Sequence, residues 1–192
     1  MLVGKIAFVV TLIMMTIIRY PYRPKGNGIK RKEADRQEQF LLVVLTIGGA
    51  LLPLIYVFTG WLSFADYNSS PLLIGAGIII TVVGLWLFWC SHTDLGHNWS
   101  SSLEIYSEHK LITQGVYQRV RHPMYSASWL IFLGQALFLT NWVAGLGGIV
   151  SFGIMYFLRV PKEEHMMLEE FGEQYQQYMM RTGRVFPRDL SQ

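Results

Sequence analysis

Residues 126–158, SASWLIFLGQALFLTNWVAGLGGIVSFGIMYFL, contain no Asp, Glu, Lys or Arg. As one helix the run would measure ~50 Å at ~1.5 Å per residue, against ~30 Å for the hydrocarbon core of a bilayer. Asn141-Trp142 lies near its middle. The run therefore predicts two apolar helices, 125–139 and 143–158, folded into a hairpin. A hairpin returns to its starting side. The stretch GVYQRVRHPMY at 115–125 is then brought next to Arg159, Glu163 and Glu164.

The rest of the chain agrees with a membrane setting. Of its 192 residues, 52% are hydrophobic and only 15% charged, where a soluble domain carries ~25% charged residues. Residues 6–18 are uncharged and end in Arg19-Tyr20-Pro21-Tyr22-Arg23, without a small-residue cleavage pattern, so the segment reads as a retained span. A polar loop follows, ending in a short helix from about Lys30. Residues 41–58 form a second apolar run, bent near Pro53. Pro71 suits the first position of a third helix, which 72–90 completes. The expected fold is all-α: an integral membrane protein with five transmembrane helices, the last two a hairpin. One domain, 1–192, comprises three N-terminal spans over 1–90 and a core over 91–192.

Charge placement tests that topology. With five spans, loops 19–40 and 91–125 and the tail 159–192 share a side. They hold every Lys and Arg except Lys5. The positive-inside rule makes that side cytoplasmic and puts the N-terminus outside. In the tail, Pro161 is expected to break or kink the fifth helix. Glu164, Leu168, Phe171, Tyr175 and Tyr178 recur at helical steps. They predict an amphipathic C-terminal helix on the bilayer surface or over the 91–125 loop, with Gly183 as its stop.

The hairpin geometry gathers Arg121, His122, Tyr125, Arg159 and Glu163 at the membrane–water boundary. Taken singly, each has a plainer reading. Arg121 and Arg159 suit interfacial anchors, Tyr117 and Tyr125 suit an aromatic belt, and Glu164 reads as facing water. His92 and His97 have the spacing of one histidine box, but five histidines and one cysteine, Cys90, are too few for a metal centre. Gly75, Gly77 and Gly84 suit close helix packing.

The ordered set GVYQRVRHPMY, an apolar hairpin with Asn141-Trp142, Glu163-Glu164, LEEFGEQYQQY at 168–178 and Pro187 resembles the isoprenylcysteine carboxyl methyltransferase family, within the broader phospholipid methyltransferase group. The resemblance covers about 95–187 and suggests a compact prokaryotic-type member. It implies S-adenosylmethionine as methyl donor, leaving as S-adenosylhomocysteine, in a cytoplasmic pocket closed by the C-terminal helix. It also implies that His109, Lys110, Leu111, Ile112 and Tyr117 lie along the cofactor. His122, Pro123, Met124 and Tyr125 form another wall, one glutamate of the pair Glu163-Glu164, with Glu163 the first choice, contacts the cofactor, and Arg159 holds the substrate. Ser126 stands where the family often has Gly. Ser100–Ser102 align loosely with a further border of the pocket.

These residue types suit that chemistry. A carboxylate accepts hydrogen bonds from ribose or amine, aromatic faces attract a sulfonium, and Arg presents a planar fork to a carboxylate. A terminal carboxyl of pKa ~3.5 is already ionised at pH 7, so its methylation needs alignment and desolvation rather than a base. The expected reaction is methyl transfer to the carboxylate of an S-prenylated cysteine or a similar lipophilic carboxylate, reached from the lipid bilayer, with no nucleic acid and no metal. Three alternatives stay open: ethanolamine phospholipid N-methylation, an NADPH-dependent sterol-reductase-like protein, and a non-catalytic membrane protein.

Overall fold

The computed structural model describes residues 1–22, 29–32, 36–96, 104–106 and 110–188. It is a helical bundle. α1 (Leu2–Arg19) leads to α2 (Arg36–Thr46), which continues through a π-helical turn (Ile47–Leu51) into α3 (Leu52–Phe58). α4 (Pro71–Leu95), α5 (Pro123–Phe138), α6 (Trp142–Phe171) and α7 (Glu173–Arg181) follow. Among the described residues, four helical segments are long and apolar enough to cross a membrane: Leu2–Tyr22, Arg36–Phe58, Pro71–Leu95 and Trp142–Phe171. α5 has 16 residues, ~24 Å of helix, shorter than a bilayer core.

Outward faces are apolar. On α1, Ile6, Val10, Ile13 and Ile17 share one face and are 50–58% exposed. Ile79, Val82, Trp86 and Trp89 do the same on α4, and Val150, Ile154 and Phe157 on α6. Such ridges suit lipid as the surroundings.

Small residues let the inner helices touch. A Cβ on Gly77 of α4 would lie 2.8 Å from the Gly134 carbonyl oxygen of α5, and one on Gly84 would lie 2.9 Å from Ile131. Gly75 has open space instead, so its expected packing role falls away. α5 and α6 run antiparallel: Gln135 meets Ala144 near their junction, Trp129 packs on Phe152, and Tyr125 faces Tyr156 at the far end. Asn141 caps α6, its side-chain oxygen accepting the Ala144 N–H at 2.9 Å, which is why the chain turns there.

Two local expectations are corrected. Lys30 does not start a helix: Ile29–Lys32 is a strand paired antiparallel with Glu104–Tyr106, and the helix begins at Arg36. Pro161 does not break α6, which runs on to Phe171. Its ring is exposed, and the cost is confined to one turn's hydrogen bond. The break comes at Gly172, whose φ of +51° disfavours any L side chain. Two expectations hold in their position: Gly183 follows the Thr182 cap that ends α7, and Pro71 opens α4 behind a Ser70 cap. A π-helical turn stands just before Pro53.

Candidate functional site

The helix-opening sequence Arg121-His122-Pro123 sets the site's first wall. Pro123 is the first residue of α5, a position where its missing N–H costs nothing. The segment before it is laced to the C-terminal stretch. Arg121 N–H donates to Gly183 O at 2.8 Å and His122 N–H to Arg184 O at 2.9 Å, while Ser126 Oγ donates to Val185 O at 2.6 Å. Residues 183–185 thereby form the lid over the start of α5.

The second wall is one turn of α6. Arg159 and Glu163 are four residues apart and share a face. Tyr125 donates its hydroxyl to Glu163 Oε2 at 2.7 Å. His122 Nδ1 lies 3.6 Å from Glu163 Oε1, and its Nε2 lies 3.3 Å from Glu164 Oε1. Arg159 Nε stands 3.9 Å from Glu163 Oε2. His122, Tyr125, Arg159 and Glu163 are therefore gathered at one end of the α5–α6 pair. The Glu163 side chain keeps 27% of its surface exposed, whereas Glu164 keeps 5%.

Glu164 does not face water as the sequence suggests. It takes Arg121 Nε at 3.1 Å and Arg184 through Nη2 at 2.7 Å and Nε at 3.0 Å. Arg121 also donates to the Met179 and Thr182 carbonyls. Adjacent helix residues point ~100° apart, so the two glutamates divide the work. Glu163 looks into the site, and Glu164 ties α6 to the segment before α5 and to the C-terminal stretch. Burial lowers the His122 pKa, but the two carboxylates outweigh it and hold the imidazole above its ordinary value. The Glu164 hydrogen bond likewise raises Arg184.

The other expected site residues are placed differently. Tyr117 is buried; its hydroxyl donates to Ser91 O of α4 at 3.4 Å, and its own carbonyl accepts the Tyr178 hydroxyl at 2.6 Å. Burial, reinforced by the charge of Glu163, pushes the Tyr117 phenol well above its usual range, so it stays a donor. Just before it, Gly115 turns with φ +58° and Val116 N–H is held by Asp94 at 2.8 Å. Met124 turns away and packs against Ile18, Phe88, Ala127 and Ile131. Leu111 and Ile112 are half-buried and Lys110 is exposed. His109, Ser100–Ser102 and His97 lie outside the described residues. His92 is buried, with Nδ1 2.8 Å from Phe88 O, and among the described residues no cluster suits a metal.

Sequence reasoning missed one buried charge. Glu38 of α2 is 3% exposed and lies 3.0 Å from Arg159 Nη1. It sits in the charged run RKEADRQEQ at 31–39. Only its position at the polar start of an apolar helix, level with Arg159, distinguishes it from the other charged residues of that run.

The donor set fits a sulfonium cofactor with ribose and amino-acid groups: a half-open carboxylate flanked by a tyrosine hydroxyl, an imidazole and an arginine. The family described as "Phospholipid methyltransferase" matches residues 72–174. Protein-S-isoprenylcysteine O-methyltransferase B of Arabidopsis thaliana is 32% identical over 113 residues, 58% of this chain and 57% of that protein. Protein-S-isoprenylcysteine O-methyltransferase A of the same plant is 27% identical over 146 residues, 70% and 74% of the two chains. The solved eukaryotic intramembrane Ras methyltransferase, isoprenylcysteine carboxyl methyltransferase, superposes with TM-score 0.57 at 21% identity, covering 94% of this chain and 62% of its own. The chain thus spans well under two thirds of the first of these relatives, and the structural likeness concerns the fold.

Proposed function

The chain belongs to the phospholipid methyltransferase family, and from that premise we propose that it transfers a methyl group from S-adenosylmethionine to the carboxylate of an S-prenylated cysteine or a similar lipophilic carboxylate. The observation that carries this reading is the meeting of His122, Tyr125, Arg159 and Glu163 at one end of two apolar helices. The names of the relatives favour a prenylcysteine acceptor over other lipids.

When bound, the cofactor supplies a methyl group activated by sulfonium charge. The chain's own residues bind and orient. Glu163 offers its carboxylate to hydroxyl or ammonium groups. Tyr125 and His122 fix that carboxylate. Arg159 presents its guanidinium to the acceptor carboxylate, whose desolvation at this boundary strengthens the attraction. In this reading all five apolar segments enter the membrane, α5 and α6 as a hairpin. The polar end, closed by α7 and residues 183–185, faces the cytoplasm and the N-terminus lies outside, in keeping with the Lys and Arg distribution.

A second reading is ethanolamine phospholipid N-methylation. Two carboxylates beside Arg159, Glu38 and Glu163, favour it, because an amine acceptor must lose a proton to a base. A labelled-methyl assay with purified protein separates the two. Label is expected in a farnesylcysteine derivative and not in phosphatidylethanolamine; label in the amine lipid alone overturns the first reading. Absence of S-adenosylmethionine binding by calorimetry overturns both.

A further inference from the structure

We propose that Glu38, contributed by α2, is the positioning residue that orients Arg159 for the acceptor carboxylate; this rests on the function proposed above. Arg159 is 92% buried, since only 8% of its surface is exposed, and a buried guanidinium needs a carboxylate partner. Its own helix offers Glu163, but that carboxylate already takes the Tyr125 hydroxyl at 2.7 Å and His122 at 3.6 Å, and it stands 3.9 Å from Arg159. Glu38 is closer, 3.0 Å from Nη1, and is itself 3% exposed. The nearer anchor of the guanidinium thus comes from another helix.

α2 is held firmly enough to serve. Leu41, one turn beyond Glu38, is 2% exposed and packs in the cluster of Phe132, Phe152 and Met155. Further along, the π-helical turn brings Gly48 against α6, where a Cβ would lie 2.5 Å from the Gly147 carbonyl oxygen and from Ser151 Oγ. That contact fixes the height of α2 along α6, and so the level at which Glu38 meets Arg159. A regular α-helical turn would rotate the residues before it to another face of the bundle.

The division of labour follows. If Glu163 serves the cofactor, Arg159 cannot depend on it for orientation in every state of the cycle. Glu38 supplies a fixed carboxylate that is not shared with His122 or Tyr125. It anchors the guanidinium by charge at Nη1, and a fork anchored at one corner loses less freedom when an acceptor carboxylate meets it. Glu38 lies outside residues 72–174, so the acceptor end of the site draws on the N-terminal part of the chain as well as on the matched core.

The test compares Glu38→Ala and Glu38→Gln with the unaltered full chain in lipid nanodiscs, using labelled S-adenosylmethionine and a farnesylcysteine derivative. Loss of the buried partner is expected to raise the acceptor KM about tenfold, with kcat within about threefold and cofactor Kd within about twofold. Glu38→Gln, which keeps an accepting oxygen, is expected to recover most of the KM. Phe8→Ala, in the α1 cluster with Phe138, Leu139 and Ala144 at the turn end of α5 and α6, controls for a merely structural effect: it lowers the thermal midpoint and leaves the acceptor KM unchanged. An unchanged KM in both Glu38 variants, a change confined to cofactor Kd, or an equal KM rise in Phe8→Ala overturns the inference while the proposed function stands. If Glu38→Ala fails to fold, Glu38→Gln decides, with a KM rise of about twofold to threefold required. No transfer by the unaltered chain to the farnesylcysteine derivative overturns the proposed function, and the inference with it.

Discussion

The two ends of the α5–α6 pair are built on opposite principles. At the turn, one neutral side chain does most of the joining. Asn141 is fully buried; it donates to Leu62 O at 2.6 Å and Asp66 Oδ1 at 2.8 Å, and it accepts the Ala144 N–H. Every group of that amide has a partner, and nothing is left to bind anything else. At the other end, Arg121, His122, Arg159 and Arg184 meet Glu38, Glu163 and Glu164. Burying that many charges is a poor way to gain stability, because desolvation offsets most of the attraction. The contrast separates a neutral joint from a charged cluster, and the proposed site lies at the charged cluster. Within the charged end the same distinction recurs between Glu164, closed off by three cations, and Glu163, left half-open.

The largest expected effect breaks the charged end outright. Glu164→Ala leaves Arg121 and His122 buried without their shared carboxylate and is expected to cost ~3–5 kcal/mol. It should lower the detergent thermal midpoint steeply and abolish transfer together, as scanning fluorimetry and the methyl assay will show. Arg159→Lys is the next in size. It keeps the charge but loses the planar fork, so kcat/KM for a carboxylate acceptor should fall ~30-fold, from ~2 kcal/mol of lost charge-assisted hydrogen bonding. Near-normal transfer by this variant would point to an amine acceptor. Asn141→Ala should cost ~2 kcal/mol of stability yet leave the acceptor KM untouched; a raised KM would show that the turn end is coupled to the site.

The smallest effect concerns pH. His122 is held above its ordinary ~6.5. Its contribution to stability is fully present below pH ~6.5 and is lost as the pH rises through the folded value. The thermal midpoint should therefore decline with rising pH above ~6.5. His122→Asn should flatten that slope.

Much of this contrast was readable in the amino-acid order. The uncharged run 126–158 with Asn141 inside it was enough to bring RHPMY and Arg159 to one end. Pro71 and Pro123 marked helix starts because the first turn has no use for their missing N–H. What escaped notice has physical reasons. Glu164 was misjudged because helix periodicity points it away from Glu163, and only the return of residues 183–185, which no periodicity announces, covers it with Arg184. Glu38 was hidden in a run whose other charged residues suit solvent equally well. Pro161 misled because a proline in a helix usually ends it, whereas an exposed ring near the membrane edge loses a single bond. The pairing of Ile29–Lys32 with Glu104–Tyr106 joins segments about 75 residues apart, a separation at which local pattern carries no information.

The backbone bonds from Arg121 and His122 to Gly183 and Arg184 also set a clock. During synthesis the first pair emerges about 60 residues before the second, which at ~5–20 residues per second is a wait of ~3–12 s. Helices α5 and α6 can form and pair in that interval, but the N–H groups at the head of α5 must lean on water until their partners arrive. Pairing of the two helices and completion of the charged end are thus separate events in the life of each molecule, and a nascent chain that has finished the first has not yet acquired the second.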